Sequence, residues 1–115
     1  MTTIADLEHR LVELYATPDD HAGIETASLT LIAAVLQEKV PAATHLLLDW
    51  SGHGPHHELD DVTAADGTSL RAEVERAAGD VATWVTNLRG ALAARFEPIN
   101  PAGGVYRVEL AQFRS

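Results

Sequence analysis

The chain has 115 residues, no cysteine, 46% hydrophobic residues and a formal net charge of −9 at pH 7. This length suits one domain with its own core, and the missing cysteines exclude disulfides, thiolate catalysis and cysteine-based zinc sites. No apolar run reaches the ~20 residues of a membrane span, and the N-terminus lacks the basic start and apolar block of a secretory signal. We therefore expect a cytoplasmic protein with no membrane partner.

The acidic charge is concentrated in the first part of the chain. Residues 1–69 carry twelve acidic and two basic side chains, a net charge of −10, whereas residues 70–115 carry five acids and six arginines, a net charge of +1. A negative field repels nucleic-acid backbones and attracts basic surfaces. We therefore expect no direct binding of nucleic acid, and we expect a protein partner that is basic or associated with nucleic acid.

Two helices are predicted before the first strand. The first runs from Thr3 to Ala16, because apolar residues recur there at helical spacing: Ile4, Leu7, Leu11 and Leu14. The second runs from Ile24 to Lys39 and is ended by Val40-Pro41. Between them, residues 17–20 (TPDD) fit either another helix start or a plain turn.

A β-hairpin is predicted next. From Thr44 to Ser51, Leu46, Leu48 and Trp50 alternate with His45, Leu47 and Asp49, which indicates a strand with one buried face. Residues 51–55 read as a loop, and an acidic second strand follows from Glu58 to Ala65. Its alternation is imperfect, so we expect a bulge or an edge position.

A long third helix is the next predicted element. Apolar residues follow steps of three and four from Leu70 to Phe96, with Trp84 beside the stripe. A helix of that length would span roughly 40 Å, so Gly79 and Gly90 are expected to mark a bend or a break. Residues 97–101 read as a stiff linker, and a last strand is predicted from Val105 to Phe113.

These elements predict an α+β two-layer sandwich of one domain, covering residues 1–115. Their order is α-α-β-β-α-β, with the helices on one face of a three-stranded, mainly antiparallel sheet. A crossover through the third helix would place the last strand beside the first.

One stretch of the chain resembles known small proteins. It consists of LLLDWS, a short polar loop, a strand ending in ADGTSL, an amphipathic helix and a VYRVEL strand. Over Thr44 to Leu110 it is similar to small uncharacterised proteins of actinobacteria and their phages. It departs from them at residues 52–57 (GHGPHH), where a polar Asp-Gln-Gly-type loop is expected. The resemblance implies no activity and no functional residue.

The hairpin loop contains the strongest chemical candidates. Imidazole groups at His53, His56 and His57 are suitable ligands for zinc or another divalent metal, and a loop can bring them together. Successive side chains of an extended segment point in opposite directions, so only one of His56 and His57 would readily join His53. We keep these three as candidate metal ligands, with a solvated hairpin loop as the alternative.

Catalytic motifs are missing from the sequence. It has no cysteine nucleophile, no G-x-S-x-G elbow, no phosphate-binding glycine loop and no dinucleotide fingerprint, so we expect neither an enzyme nor a cofactor. We predict instead a protein-interaction or regulatory protein, phage-related or actinobacterial, that presents an acidic surface to a basic partner. The candidate binding residues are Asp49, Glu58, Asp60, Asp61, Asp66 and Trp84.

Two alternatives stay open beside this prediction, and the predicted interaction protein has a possible oligomeric state. The histidine loop would suit a metal-binding protein or a metal-dependent hydrolase. The chain could also be a virion or assembly component. The opposite charges of its two parts also fit docking between copies, and therefore a homodimer.

Overall fold

The computed structural model describes residues 3–50, 56–99 and 104–114, which form an α+β fold. Within these residues the helices are α1 (Ile4–Leu14), α2 (His21–Lys39), α3 (Arg71–Ala77) and α4 (Asp80–Val85). The strands are β1 (Ala43–Asp49), β2 (Glu58–Ala64), β3 (Glu97–Pro98) and β4 (Val105–Glu109), and two 3-10 helices cover Ala93–Arg95 and Leu110–Phe113. None of the described helices has both the length and the apolar character of a membrane span.

The first two helices begin at side-chain caps. Thr3 and Asp6 form a reciprocal capping box at the start of α1, with each side chain accepting a hydrogen bond from the other residue's backbone amide. At α2 the carboxylate of Asp20 accepts a 3.0 Å hydrogen bond from the Gly23 amide. A Cβ atom on Gly23 would lie 2.2 Å from that carboxylate, so the glycine leaves room for the cap. Helix α2 therefore begins three residues before Ile24, and the preceding residues form a turn.

Helix α2 is the centre of the hydrophobic core. Its apolar side chains are buried on several sides: Leu29, Leu31, Ile32, Ala33, Val35 and Leu36. A helix that is apolar around most of its circumference must be surrounded by other elements. Accordingly α1 and α4 pack against it, and the buried face of the sheet shares its core.

The sheet has four strands in the order β2-β1-β4-β3, and all its pairings are antiparallel. The last strand lies beside the first strand, as predicted. The expected number of three strands was wrong, because Glu97 and Pro98 in the predicted linker pair with Arg107 and Tyr106. The predicted irregularity of the second strand is present as register shifts between β1 and β2. The final strand ends at Glu109, and a 3-10 helix follows.

The predicted third helix is not continuous: it is broken at Gly79, one of the two positions expected to bend or break it, and it ends at Val85, well before Phe96. Its apolar positions are buried as predicted, including Val74, Val81 and Leu88, but the backbone is helical only in α3 and α4. Gly79 separates the two helices. After α4, the Thr86 hydroxyl donates to the Thr83 carbonyl oxygen at 2.6 Å, and Gly90 takes a φ of +96°. That angle lies in the left-handed region, which favours glycine.

Candidate functional site: the open face of the sheet

The face of the sheet that points away from the core brings several charged side chains together. Register aligns Asp61, Leu47, Arg107 and Glu97 in one row across all four strands. A second row contains Thr63, His45 and Glu109, and a third contains Glu58, Asp49 and Val105. The ten residues of these three rows are called the open face below.

The two faces of the sheet differ sharply in burial. On the inner face Leu46, Leu48, Val62 and Val108 have no solvent exposure. On the open face Glu58, Glu97 and Glu109 are exposed and the remaining residues are partly exposed. Such alternation is expected of an antiparallel sheet with one face on the core and the other in water. The helices therefore leave this surface accessible.

The open face is strongly acidic. It has five carboxylates, from Asp49, Glu58, Asp61, Glu97 and Glu109, against the single guanidinium of Arg107. Glu58, Asp61 and Glu109 form no ion pair within the described part of the chain. Leu47 is partly exposed, and its row lies between the row of His45 and the row of Asp49. The surface is thus an acidic field with an apolar centre.

The single cation of the open face is paired. Arg107 Nε donates to Glu97 Oε2 at 3.1 Å, and Arg107 Nη2 donates to Glu97 Oε1 at 2.8 Å. This two-point hydrogen bonding by Arg107 lowers the pKa of the Glu97 carboxyl, and the carboxylate in turn raises the pKa of Arg107. One carboxylate is neutralised in this way, and the carboxylates of the open face still outnumber its single guanidinium, so the surface keeps a negative sign.

The outer edge of β2 is covered by the chain that follows it. The Leu70 amide donates to the Val62 carbonyl oxygen at 2.7 Å, and the Ala64 amide donates to the Thr68 carbonyl oxygen at 2.9 Å. Arg71 Nη1 donates to the carbonyl oxygen of Asp60 at 3.0 Å. These backbone groups are therefore already bonded, and this edge offers a poor template for an added strand.

The structure brings together only some of the residues predicted to form a binding surface. Asp49, Glu58 and Asp61 share the open face. Asp60 is exposed on β2 where the register shifts, and Asp66 lies in the following turn, where hydrogen bonds from Thr68 lower its carboxyl pKa. Trp84 lies on α4 among residues of the helical layer, so it does not belong to this surface.

The predicted metal ligands have different environments. His57 has no solvent exposure and lies among the rings of Trp50, Phe96 and Tyr106. His56 Nδ1 donates to the carbonyl oxygen of His57 at 2.9 Å. His53 lies outside the described residues. Within residues 3–50, 56–99 and 104–114, no group of three potential metal ligands could hold an ion, and the three-histidine site stays a prediction.

Sequence reasoning missed the contribution of the last strands to this surface. The alternation in VYRVEL places Arg107 and Glu109 on the face opposite Tyr106 and Val108, so the signal was present. Combined with the expected neighbourhood of the first and last strands, it could have identified Glu109 as an open-face acid. Nothing in the local pattern indicated the two-residue strand that supplies Glu97.

Comparison with known proteins gives no information about the family or function of this chain. No protein-family model, no curated protein and no solved structure matches this chain.

Proposed function

We propose that this chain is a non-catalytic interaction protein whose open face binds a basic surface of a protein partner. One observation carries the proposal: five carboxylates converge on a single accessible sheet face that holds one guanidinium, which pairs with Glu97. Fields of one sign raise the rate of encounter with oppositely charged partners and disfavour partners of like charge. The partner that fits is a segment or patch rich in arginine and lysine, as in proteins that bind nucleic acids.

The geometry favours docking through side chains rather than strand addition. The outer edge of β2 is bonded to residues 68–71. At the other edge, β3 has two residues, of which Pro98 has no amide hydrogen. A partner would therefore contact the face itself, with Leu47 providing an apolar contact inside an acidic rim, the usual arrangement of a protein interface.

The test uses a synthetic arginine-rich peptide as a model for the basic surface, because its charge is known. In ¹⁵N NMR titrations, we expect amide shifts concentrated at Leu47, Asp61 and Glu109, and binding that weakens steeply as salt is added. The double variant Glu58→Lys/Glu109→Lys should lower the affinity roughly tenfold or more. Both side chains are exposed and unpaired among the described residues, so the fold should tolerate the change.

The matched control is Glu38→Lys/Glu73→Lys, which changes the net charge equally but on exposed positions of α2 and α3. It should retain most of the affinity. Equal loss in both variants would show that the peptide responds to net charge alone and would overturn the proposal of a specific face. A photo-crosslinking residue at position 47 would then capture the natural partner in cells, and crosslinks only to acidic proteins would contradict the predicted chemistry.

A further inference from the structure

A pocket on the helical side of the molecule is unrelated to the open face. It lies between the end of α1, the first turn of α2 and the segment after α4. Its volume is about 220 Å³. The lining residues are Tyr15, Pro18, His21, Ile24, Asn87 and Arg89. On this measure about 15 Å³ already holds one water molecule, so the pocket has room for a small organic ligand.

The polar wall of the pocket is held in place by a hydrogen-bond network. Asn87 Nδ2 donates to the Tyr15 hydroxyl oxygen at 2.8 Å and to Ser28 Oγ at 3.0 Å. Ser28 is fully buried, which anchors the amide to the core. Because both amide hydrogens are used and the Tyr15 oxygen accepts one of them, the Tyr15 hydroxyl keeps its own hydrogen to donate to a ligand.

The charged wall of the pocket is Arg89. Arg89 is exposed and forms no ion pair with any described residue, although acids outnumber lysines and arginines 17 to 8 in this chain. No acidic residue lines the pocket. The nearby Asp20 carboxylate accepts the Gly23 amide hydrogen at the start of α2. An unpaired guanidinium and a hydroxyl donor that line the same pocket are suitable partners for a carboxylate.

We propose that this pocket binds a small carboxylate with an apolar body. The apolar part would pack on Ile24 and Pro18, and the carboxylate would accept hydrogen bonds from Arg89 and the Tyr15 hydroxyl. This combination of a mostly apolar wall and a few converging polar groups is typical of small-molecule sites. The inference is independent of the open face, so either proposal can fail without the other.

The experiment uses benzoate as the probe, with benzamide and acetate as its controls. Benzamide has the shape without the charge, and acetate has the charge without the apolar ring. We expect benzoate to shift the Asn87 side-chain amide and the amides of residues 21–24 saturably, with a Kd of about 1 mM, a scale typical of so small a ligand. Benzamide and acetate should each bind at least several-fold more weakly.

The variants separate the two polar contacts. Arg89→Ala should weaken benzoate binding about tenfold, since it removes a charge-assisted contact, and Tyr15→Phe should weaken it by a smaller factor. Arg76→Ala, at another exposed arginine on α3, should change nothing. Equal binding of benzoate and benzamide, unchanged binding in Arg89→Ala, or no saturable shift up to roughly 10 mM, ten times the expected Kd, would each overturn the proposal.

Discussion

The imidazole of His57 lies 4.6 Å from the ring of Trp50, centroid to centroid, with the two planes tilted by 58°. Phe96 and Tyr106 approach the same imidazole at 5.8 and 5.5 Å. Neither ring nitrogen of His57 has a hydrogen-bond partner among the described residues. Burial disfavours the charged form, and with the His56 charge it lowers the pKa of His57 from 6.5 to about 4, which the Asp49 carboxylate only partly opposes.

This environment predicts a loss of stability in mild acid. A histidine whose pKa is lower in the folded state takes up its proton more readily when unfolded. Its stabilising effect is therefore complete above pH 6.5 and is lost as the pH falls toward 4. We expect urea denaturation to show a decrease of roughly 2 kcal/mol in the free energy of unfolding over this range.

The variant His57→Leu distinguishes the effect of His57 on the pH dependence of stability from the effects of the other titrating groups. The lowered carboxyl pKa values of Asp6, Asp66 and Glu97 affect stability mainly below their ordinary values near 4, so the interval from pH 4.5 to 6.5 reports on His57. His57→Leu should flatten the pH dependence in this interval. An unchanged slope in the variant would contradict the assignment.

Gly90 provides a second test of the packing around Trp50. A Cβ atom at this position would lie 2.5 Å from Trp50 Cη2, and the backbone φ is +96°. Gly90→Ala would therefore combine a left-handed backbone penalty with displacement of the indole, and we expect a loss of about 2 to 4 kcal/mol in the free energy of unfolding. Tryptophan fluorescence during denaturation measures both effects.

Gly67 is the matched control for this prediction. Its φ is +88°, but a Cβ atom there would meet no atom within 4 Å. Gly67→Ala should therefore show the backbone penalty alone, about 1 to 2 kcal/mol. If the two variants lose equal stability, the Trp50 contact contributes nothing to the requirement for glycine at position 90.

Periodicity predicted burial better than it predicted backbone shape. The spacing of Val74, Val81 and Leu88 identified core positions correctly, because one stripe of apolar residues can face the core from a continuous helix or from successive short ones. The break at Gly79 was indicated in advance. The local pattern did not show that Gly90 would approach Trp50, since that contact joins residues 40 positions apart and depends on the completed fold.

The alternation of residues along a strand also predicted part of the candidate site, but it did not predict contacts between distant segments. Alternation in the first strand placed Asp49 on the outer face, and acidic composition identified Glu58 and Asp61. His57 lies just before β2, outside the strands, but it is buried rather than solvated. A single histidine in a polar segment gives no sign that three aromatic rings will surround it. Such tertiary contacts override local polarity.

Glu25 is buried and bonds to a distant backbone amide. Loss of its carboxylate should open the structure locally there, which amide hydrogen exchange can detect. Its Oε2 accepts a 3.1 Å hydrogen bond from the Ala91 amide, 66 residues later, while Oε1 has no partner in the described part of the chain. Glu25→Ala removes the acceptor and leaves a cavity in the core, so we expect a loss of about 2 to 4 kcal/mol. The Ala91 amide should exchange with solvent much faster than in the parent protein.

Glu25→Gln is the conservative control for the same contact. The glutamine keeps a carbonyl oxygen that can accept the Ala91 hydrogen and preserves the side-chain volume, so its cost should be clearly smaller than that of alanine. If Ala91 stays protected in Glu25→Ala, the hydrogen bond does not hold this segment against α2.

Arg107 both bonds to Glu97 and reduces the negative charge of the surface that is proposed to bind a partner. It is the only arginine of the open face, and its bonds to Glu97 hold the pKa of that carboxyl below its ordinary value. Arg107→Leu should therefore return the Glu97 pKa toward its ordinary value in a carboxyl NMR titration. The same change removes the one positive charge from an acidic surface, so the arginine-rich peptide should bind several-fold more tightly at low salt.

Arg71→Leu is the control for this last prediction. Arg71 pairs with Glu75 on α3 and donates to the Asp60 carbonyl oxygen at the edge of β2; it is not one of the ten residues of the open face, and its loss alters the net charge of the chain by the same amount. It should leave the Glu97 pKa unchanged and strengthen peptide binding less than Arg107→Leu does. Weaker peptide binding by Arg107→Leu would mean that the guanidinium contributes a contact to the partner, and that the carboxylates of the open face alone do not define the site.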